Sequence, residues 1–366
     1  MLSVLFQDFP DFELIVQDNC STPETYEVVK QYPSPKLKYQ RSTTVLPMNQ
    51  NWEMALNLCE GEYIYFMGDD DGLMPDGLRL ADDILHRVSL EVLSWRKYTY
   101  WWDNALEPAL QGRLFIHVGS QFQTFHARRL LESCYDWTIG FGTMPSIYNS
   151  LVHRNLVDRI RGRSGGVYFA AGAPDAWTGI TNAAFTEQVG IFERGISMCG
   201  NSGFSTGCSY FFRSKGAERR DLYHREEGKT IEQIVHPLLI PCINLEISNA
   251  DVMIRAKEML FPKDERLQVK IPTVVQQMAN NINRDPDAYD EVLGEIRALS
   301  DKYAIPMSAI QIPARAPAVR SPVQGPLFGP NQQLDTLAVY CPLAGVHDVH
   351  QAARLASAIL PGLTIQ

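Results

Sequence analysis

Three consecutive carboxylates, Asp69, Asp70 and Asp71, follow a short apolar run at residues 63–67. The run is too short for a helix and is rich in aromatic and β-branched side chains, so it predicts a strand buried on both faces. In an open parallel sheet, ligands bind at the carboxyl ends of the strands, which is where these aspartates fall. Divalent cations such as Mg²⁺ or Mn²⁺ prefer oxygen ligands of this kind, usually completed by substrate phosphates. The triplet therefore predicts a metal site, although a solvated acidic turn is the simpler alternative.

Alternating strand and helix signals surround the triplet. Residues 12–16 and residues 37–40 predict two short strands. Between them, residues 21–24 match a capping box with a proline in the first helical turn. A second helix is predicted to begin at an N-cap near residues 49–51. This alternation is typical of a doubly wound α/β domain with a mostly parallel sheet flanked by helices.

These motifs, in this order and spacing, resemble the family 2 glycosyltransferases of the GT-A fold. The resemblance rests on residues 12–21, 51–56, 61–71 and 75–76, and it extends over residues 2–225. It implies an inverting enzyme that moves a sugar from a nucleotide-diphosphate sugar to a glycan or lipid-linked acceptor. A uridine-linked donor is favoured, and a bacterial surface polysaccharide is the expected kind of product.

The resemblance also implies roles for residues on the nucleotide side of the site. Asp18 and Asn19 follow the first predicted strand and would contact the nucleobase or ribose region of the donor. Asn51 would lie near the nucleotide-binding loop. All three are expected to bind the nucleotide sugar.

A divalent cation, Mn²⁺ or Mg²⁺, would bridge the donor phosphates to the triplet. The following Leu-x-Pro-Asp register favours Asp70 as the direct ligand, with Asp71 beside it and Asp69 toward the sugar. A literal Asp-x-Asp reading selects Asp69 and Asp71 instead, so the choice stays open. His224 lies where some relatives place a further metal or diphosphate ligand, although a lone histidine is more often a packed or surface residue.

Asp175 is the candidate catalytic base. It precedes a helical pattern at residues 177–184, so it is predicted to be the N-cap of a helix, and that structural role is the alternative. The resemblance implies an acidic residue in this region as general base. An inverting transfer needs a carboxylate to take the proton from the acceptor hydroxyl.

The start of the chain departs from the family pattern. Residues 2–9 resemble the end of the family's first helix, and the opening strand has no counterpart before them. Its absence predicts two exposed hydrogen-bonding edges in the sheet. Two interpretations remain: a start codon chosen too late, or an inactive member that keeps the fold for binding or scaffolding.

Two further segments carry aromatic or flexible residues. Residues 89–102 predict one long strand, in which Trp101 or Trp102 either stacks on a sugar or fills the core; the core is favoured. Residues 197–207, rich in glycine, serine and asparagine, predict a loop near the donor or the acceptor.

Composition narrows the classes of function. A net charge of −9, without basic clusters interleaved with aromatic residues, argues against nucleic acid as a partner. The seven cysteines are odd in number and lack paired spacing, which favours a reducing cytoplasm. The longest apolar stretch is too short to cross a bilayer. A lipid-linked acceptor would therefore be met by peripheral contact with the inner face of the membrane.

We predict a GT-A domain over residues 1–228, a helical extension over residues 229–311, and a Pro-rich linker and C-terminal tail over residues 312–366. The helical extension would pack on the catalytic domain or form a homo-oligomer contact. A third class of function, a metal-dependent phosphoryl-transfer enzyme or phosphohydrolase, lacks any P-loop, paired-histidine or nucleophile motif.

Overall fold

The computed structural model describes residues 1–317, 327–328 and 334–360, and within them three β-sheets are flanked by helices. The strands are β1 (Leu14–Asp18), β2 (Leu37–Arg41), β3 (Tyr63–Ile64), β4 (Gly72–Leu73), β5 (Val92–Trp95), β6 (Tyr98–Trp101), β7 (Arg113–His117), β8 (Phe122–His126), β9 (Ser150–His153), β10 (Gln188–Phe192), β11 (Ser197–Asn201), β12 (Leu327–Phe328) and β13 (Leu334–Tyr340). The helices are α1 (Leu2–Leu5), α2 (Pro23–Lys30), α3 (Met48–Leu56), α4 (Gly77–Arg87), α5 (Ala127–Tyr135), α6 (Arg154–Arg161), α7 (Pro174–Phe185), α8 (Thr206–Phe211), α9 (Ala217–Glu226), α10 (Ile231–Ile234), α11 (Leu245–Leu260), α12 (Ile271–Asn280), α13 (Tyr289–Lys302) and α14 (Val349–Ile359). The predicted α/β class with a helical C-terminal part is confirmed.

The strands form a two-stranded sheet, a five-stranded sheet and a six-stranded sheet. The first pairs β1 with β2 in parallel, the second has the order β3-β9-β5-β10-β8, and the third has the order β12-β13-β7-β6-β11-β4. Within the described residues, only β1–β2, β5–β10 and β6–β11 are parallel pairs. The sheets therefore combine parallel and antiparallel pairs, whereas the strand–helix alternation predicts a mostly parallel sheet.

The apolar run at residues 63–67 contributes only Tyr63 and Ile64 to a ladder, antiparallel to β9. Ile64 is buried, whereas its neighbours in the run are half-buried. Among the described strands, β3 pairs only with β9 and β1 pairs only with β2. Glu13, just before β1, accepts hydrogen bonds from the amides of Glu60 and Gly61, just before β3, at 2.5 and 2.9 Å. The starts of these two strands are thus joined by a side chain instead of a ladder.

The predicted long strand over residues 89–102 is two strands in two different sheets. All four residues of β5 are buried, whereas burial alternates along β6. Arg96 and Lys97 separate them. A single aromatic run does not reveal such a change of sheet, because both strands carry the same residue types.

The largest core lies between the five-stranded sheet and helices α5, α6, α7 and α11, and it encloses the fully buried Trp177. Helices α11, α12 and α13 share a second core. None of the helices in the described ranges combines the length and apolar character that a membrane span requires.

Residues 334–360, which the sequence placed in a linker and tail, pack against the third sheet. Strand β13 pairs antiparallel with β7, and Ala352 and Ala356 of α14 share a core with Tyr98 and Tyr100 of β6. Part of the Pro-rich stretch lies outside the described residues. The domain boundaries at residues 228 and 311 stay predictions.

Candidate functional site

The acidic triplet forms a turn between β3 and β4 in which the three carboxylates have different surroundings. Asp69 is exposed, Asp70 is half-buried and Asp71 is buried. Asp71 accepts hydrogen bonds from the amides of Gly68 and Gly200 at 3.1 and 2.8 Å. The Nζ atom of Lys97 lies 3.9 Å from its carboxylate. Asp71 therefore ties the turn to β11, and its oxygens are already engaged by the protein.

Asp70 also lies beside β11, but the Gly68 and Gly200 amides donate to the carboxylate of Asp71 and not to that of Asp70. The Ser202 hydroxyl donates to its carboxylate at 2.8 Å, and the indole N–H of Trp102 donates to its carbonyl oxygen at 3.1 Å. Burial, and then the nearby charge of Asp71, raise the pKa of Asp70 to about 7. A charged Asp70 thus lacks compensation within the protein, and a bound cation would supply it.

Asp69 and Asp70 are the two carboxylates of the triplet that could hold a divalent cation, because Asp71 is engaged by backbone amides. Across residues 1–317, 327–328 and 334–360, no group of three or more His, Cys, Asp or Glu side chains is arranged to hold a metal ion. Mg²⁺ is commonly held by only one or two carboxylates, with substrate phosphates and waters completing the shell. An exposed Asp69 and an uncompensated Asp70 meet that requirement.

Gly200 allows β11 to approach the triplet. A Cβ atom added there would lie 1.7 Å from the Asp70 carbonyl oxygen and 2.7 Å from the indole nitrogen of Trp102. The nearest atom belongs to the backbone, so it cannot move aside at low cost. Only glycine is compatible with this contact.

We expect Gly200→Ala to lower the free energy of unfolding by about 3 kcal/mol or more, because overpacking at a backbone contact has no cheap relief. Thermal unfolding followed by circular dichroism measures the effect. Gly294→Ala is the matched control, since nothing lies within 4 Å of the added Cβ in α13. If the Gly200→Ala protein unfolds at the same temperature as the wild type, the close contact between β11 and the Asp70 backbone is contradicted.

On the nucleotide side, Asp18 and Asn19 are held by local contacts at the end of β1. Asp18 accepts from the Ser21 amide at 2.7 Å and from the Tyr39 hydroxyl at 2.6 Å. Burial favours a higher pKa for Asp18, but these hydrogen bonds lower the pKa below its usual value. The Asn19 amide both donates to and accepts from the Leu46 backbone, at 2.9 Å each. Asp18 is thus a fixed anion, and Asn19 fixes the following loop.

Helix α3 joins this side to the triplet. It begins at Met48, so Asn51 lies inside the helix instead of at its cap. The carbonyl oxygen of the Asn51 side chain is buried without a hydrogen-bond partner. The neighbouring Trp52 stacks on Tyr148, with ring centroids 5.6 Å apart, and the Tyr148 hydroxyl accepts from the Gly68 amide at 3.0 Å. Trp52, the residue after Asn51, therefore belongs to the same set of contacts as the acidic turn.

Asp175 lies on α7, and the structure corrects its predicted position. The helix begins at Pro174 with Ala173 at the cap, so Asp175 is an exposed residue of the first turn and not the N-cap. Its side chain is therefore not committed to capping.

Helix α3 also fixes the chain that leads to Asp175. Glu53 accepts from the amides of Tyr168 and Phe169 at 2.9 and 3.0 Å. Asn49 donates to the Phe169 carbonyl oxygen at 3.2 Å. Helix α3, which carries Asn51, thus also contacts the segment that precedes the candidate base.

His224 lies on α9 beside the Tyr223 ring, with both ring nitrogens buried and without hydrogen-bond partners. Burial lowers its pKa, and the charges that act on it are those of Asp221 and Arg220 on the same helix. These surroundings offer no carboxylate from the triplet, so a role as metal ligand stays a prediction.

The aromatic candidates pack into the protein. Trp101 meets Phe212 edge-on at 5.9 Å, and Trp102 meets Tyr100 at 5.6 Å. The segment at residues 197–207, predicted to be a loop, is the interior strand β11, a short connection and the start of α8. Its strand pairs with β6 and β4 and so carries Ser202 to Asp70.

Sequence reasoning missed residues whose roles depend on distant contacts. Lys97 faces Asp71, Ser202 bonds Asp70, and Glu53 supports the segment before Asp175. Glu227 is a fourth: burial raises its pKa, although the Met48 amide at the start of α3 donates to it. Each is an ordinary polar residue in a helix or in a connection between elements, so no local signal marks it.

Comparison with known proteins gives a family match in the N-terminal part. The profile of the family described as "Glycosyl transferase family 2" matches residues 1–108. The chain is 31% identical over 98 residues to the poly(ribitol-phosphate) beta-N-acetylglucosaminyltransferase TarS of Staphylococcus aureus strains Mu50 and MW2. That match spans 25% of this chain and only 17% of each relative.

Similar solved structures include crystal structures of S. aureus TarS 1-349. The complex with UDP-GlcNAc is 19% identical, has a TM-score of 0.45, and covers 82% of this chain and 84% of that chain. The complex with UDP is 19% identical and has a TM-score of 0.43, and the match covers 82% of this chain and 83% of that chain.

Proposed function

We propose that this chain, whose residues 1–108 match the profile of the family described as "Glycosyl transferase family 2", transfers a sugar from a nucleotide-diphosphate sugar to a glycan or lipid-linked acceptor. The observation that carries the proposal is the acidic turn with an exposed Asp69 and an uncompensated Asp70. Helix α3 connects this turn to Asn51 and to the segment before Asp175. The proposal therefore places the donor and its leaving group at the acidic turn and the base on the segment that α3 also contacts.

The chemistry assigned to these residues is a single displacement. The acceptor hydroxyl attacks the anomeric carbon while the bond to the diphosphate breaks on the opposite face, which inverts the configuration. Asp175 takes the hydroxyl proton as the new carbon–oxygen bond forms. Its exposure in the first turn of α7 leaves its carboxylate free to meet an acceptor.

Asp18, Asn19 and Asn51 are assigned to the nucleotide, and Asp69 and Asp70 to a divalent cation, Mn²⁺ or Mg²⁺. When bound there, the cation neutralises the negative charge that grows on the departing diphosphate. Asp71 orients the turn through Gly68 and Gly200. We assign it a positioning role in place of the predicted ligand role.

A uridine-linked donor is the first to test, because the family resemblance favours it. The relative with 31% identity is by name an N-acetylglucosaminyltransferase acting on poly(ribitol phosphate). The match covers 17% of that protein, so its acceptor does not transfer directly. We place the reaction in the cytoplasm, where nucleotide sugars are made, and a lipid-linked acceptor would bring the enzyme to the membrane surface.

Isothermal titration of the full chain with UDP tests the proposal. We expect binding when Mn²⁺ is present and little or none in excess EDTA, because the cation joins the diphosphate to the carboxylates. UMP is the matched control, since it lacks the second phosphate. Equal binding of UDP and UMP, or no binding of UDP with Mn²⁺, would contradict the proposal.

A second candidate function is a family member that keeps the fold for binding without transfer. The observation in its favour is that Asp71, which the sequence predicts as a metal ligand, accepts hydrogen bonds from the Gly68 and Gly200 amides instead. Sugar release from UDP-GlcNAc separates the two: a non-catalytic member would bind UDP with Mn²⁺ and release no sugar.

A further inference from the structure

Strand β8 forms an open edge of the five-stranded sheet. It is the last strand in that sheet, and within the described residues it pairs only with β10. The other end strands of the two larger sheets, β3, β4 and β12, have two residues each, whereas β8 has five. Its residues from Gln123 to His126 are all exposed. A long exposed edge is a template for pairing with another strand.

Strand β8 lacks the features that usually protect an open edge. Its sequence, Phe-Gln-Thr-Phe-His, contains no proline, lysine, arginine or carboxylate. It pairs residue for residue with β10, so no bulge turns the edge away. Phe125 is 38% exposed there. Strand β2, at an end of the two-stranded sheet, carries Lys38 and Arg41 instead. Because charges, prolines and bulges prevent edge pairing, their absence from β8 favours a paired edge.

The ladder with β10 determines which backbone groups of β8 face outward. Just beyond the ends of β8, the Ala127 amide donates to the residue before β10 at 3.0 Å. The Gln121 carbonyl oxygen accepts from the residue after β10 at 2.9 Å. In an antiparallel ladder such bonded positions recur at every second residue. The amide and carbonyl groups of Phe122 and Thr124, and the His126 amide, therefore face the open side.

We propose that β8 pairs with β8 of a second copy of this chain, in an antiparallel ladder centred on Thr124. The outward groups lie symmetrically about Thr124, so a two-fold axis at this residue serves both strands with one set of contacts. Thr124 then faces its own copy in a hydrogen-bonded pair, and Phe122 faces the partner's His126. The two Phe125 rings lie diagonally across the ladder, within reach of each other.

Charges beyond the strand fit the same register. Glu193 is exposed and lies against the chain before β8, since a Cβ atom added at Gly119 would be 2.6 Å from its carboxylate. Arg129 is exposed in the first turn of α5. A ladder centred on Thr124 sets position 129 of one copy opposite position 119 of the other. Each Arg129 thus approaches the partner's Glu193, twice in the dimer. This complementarity of the chain with itself selects a second copy as the occupant of the edge.

The contact is short, which sets the expected strength of the dimer. Five strand residues extend over roughly 17 Å, so the ladder belongs with small and transient interfaces. We expect a dissociation constant on the order of 10 µM or weaker. The helical extension, where the sequence predicts an oligomer contact, is not part of this interface.

Sedimentation velocity of the full chain, from about 1 to about 200 µM, tests the dimer. We expect the sedimentation coefficient to rise with concentration toward the dimer value. Thr124→Lys sets two like charges opposite each other and should abolish the rise. Ala298→Lys adds the same charge to an exposed position of α13, and this matched control should dimerise like the wild type. Both variants should keep the wild-type thermal midpoint, because both positions are exposed in the single copy.

Thr124→Cys tests the register. Facing residues of a hydrogen-bonded antiparallel pair have Cα atoms about 5.5 Å apart, which a disulfide can span. Mild oxidation should therefore cross-link Thr124→Cys into a dimer on a non-reducing gel. Gln123→Cys is the control, since position 123 faces the partner's Phe125. The wild type, whose seven cysteines are free, gives the background.

Three results would overturn the inference, and none depends on sugar transfer. The first is a wild type that stays monomeric at every concentration. The second is a Thr124→Lys protein that dimerises as the wild type does, including the case in which Ala298→Lys alone abolishes the dimer. The third is cross-linking of Gln123→Cys as efficient as that of Thr124→Cys, which would exclude the register centred on Thr124.

Discussion

Replacing Asp70 with asparagine is expected to raise the dissociation constant for UDP in the presence of Mn²⁺ by roughly a hundredfold or more. The substitution keeps a side-chain oxygen for the Ser202 hydroxyl, so it removes the charge and little else. Burial and the charge of Asp71 disfavour ionised Asp70, which means that losing this charge should not destabilise the fold. Isothermal titration with UDP and Mn²⁺, paired with thermal unfolding, measures both effects.

Two neighbouring aspartates serve as comparisons. Asp103→Asn alters an exposed carboxylate on the adjacent segment after β6 and should leave UDP binding unchanged. Asp71→Asn should instead lower the thermal midpoint, because it removes the partner of Lys97 and weakens the bond from the Gly200 amide. Tight Mn²⁺-dependent binding of UDP to the Asp70→Asn protein would show that the triplet does not form part of the donor site.

Asp175→Asn is expected to lower the rate of sugar transfer by about 10²- to 10⁴-fold, the usual contribution of a general base. The residue is exposed in the first turn of α7, so asparagine costs the helix little beyond a favourable charge near its N-terminus. Binding of UDP with Mn²⁺ should be unaffected, because the base acts on the acceptor. The transfer rate and the UDP affinity are measured on the same preparation.

Asp158→Asn is the control for that experiment, since it changes an exposed carboxylate on α6. Transfer should continue at the wild-type rate there. An Asp175→Asn enzyme with undiminished transfer would assign the proton to another group, and the half-buried Glu227 would then be the next to replace.

The sequence predicted the elements whose signals are local. Strands β1 and β2 and helices α2 and α3 appear close to their predicted positions, because hydrophobic periodicity and turn residues specify them within a few residues. The acidic turn follows β3 as expected. The α/β class follows from the alternation of these elements.

Contacts between distant parts of the chain were not predictable in this way. The change of sheet at Arg96 and Lys97 depends on which strands pair, and residues 197–201 form an interior strand only because β6 and β4 flank them. Ser202 reaches Asp70 across 132 positions of sequence. No pattern within one segment records such a pairing, since register and partner choice are decided by the whole sheet.

The place of β13 and α14 in the third sheet has a consequence for how the protein is made. Tyr98 and Tyr100 emerge from the ribosome long before Ala352 and Ala356, the residues that cover them. Until residues 334–360 have been synthesised, the nascent polypeptide holds this apolar surface open to solvent, where chaperones or aggregation compete for it. A shortened gene product ending near residue 311 would keep every candidate catalytic side chain. It would still lack the segment that covers Tyr98 and Tyr100, so this apolar surface would stay exposed and could cause misassembly.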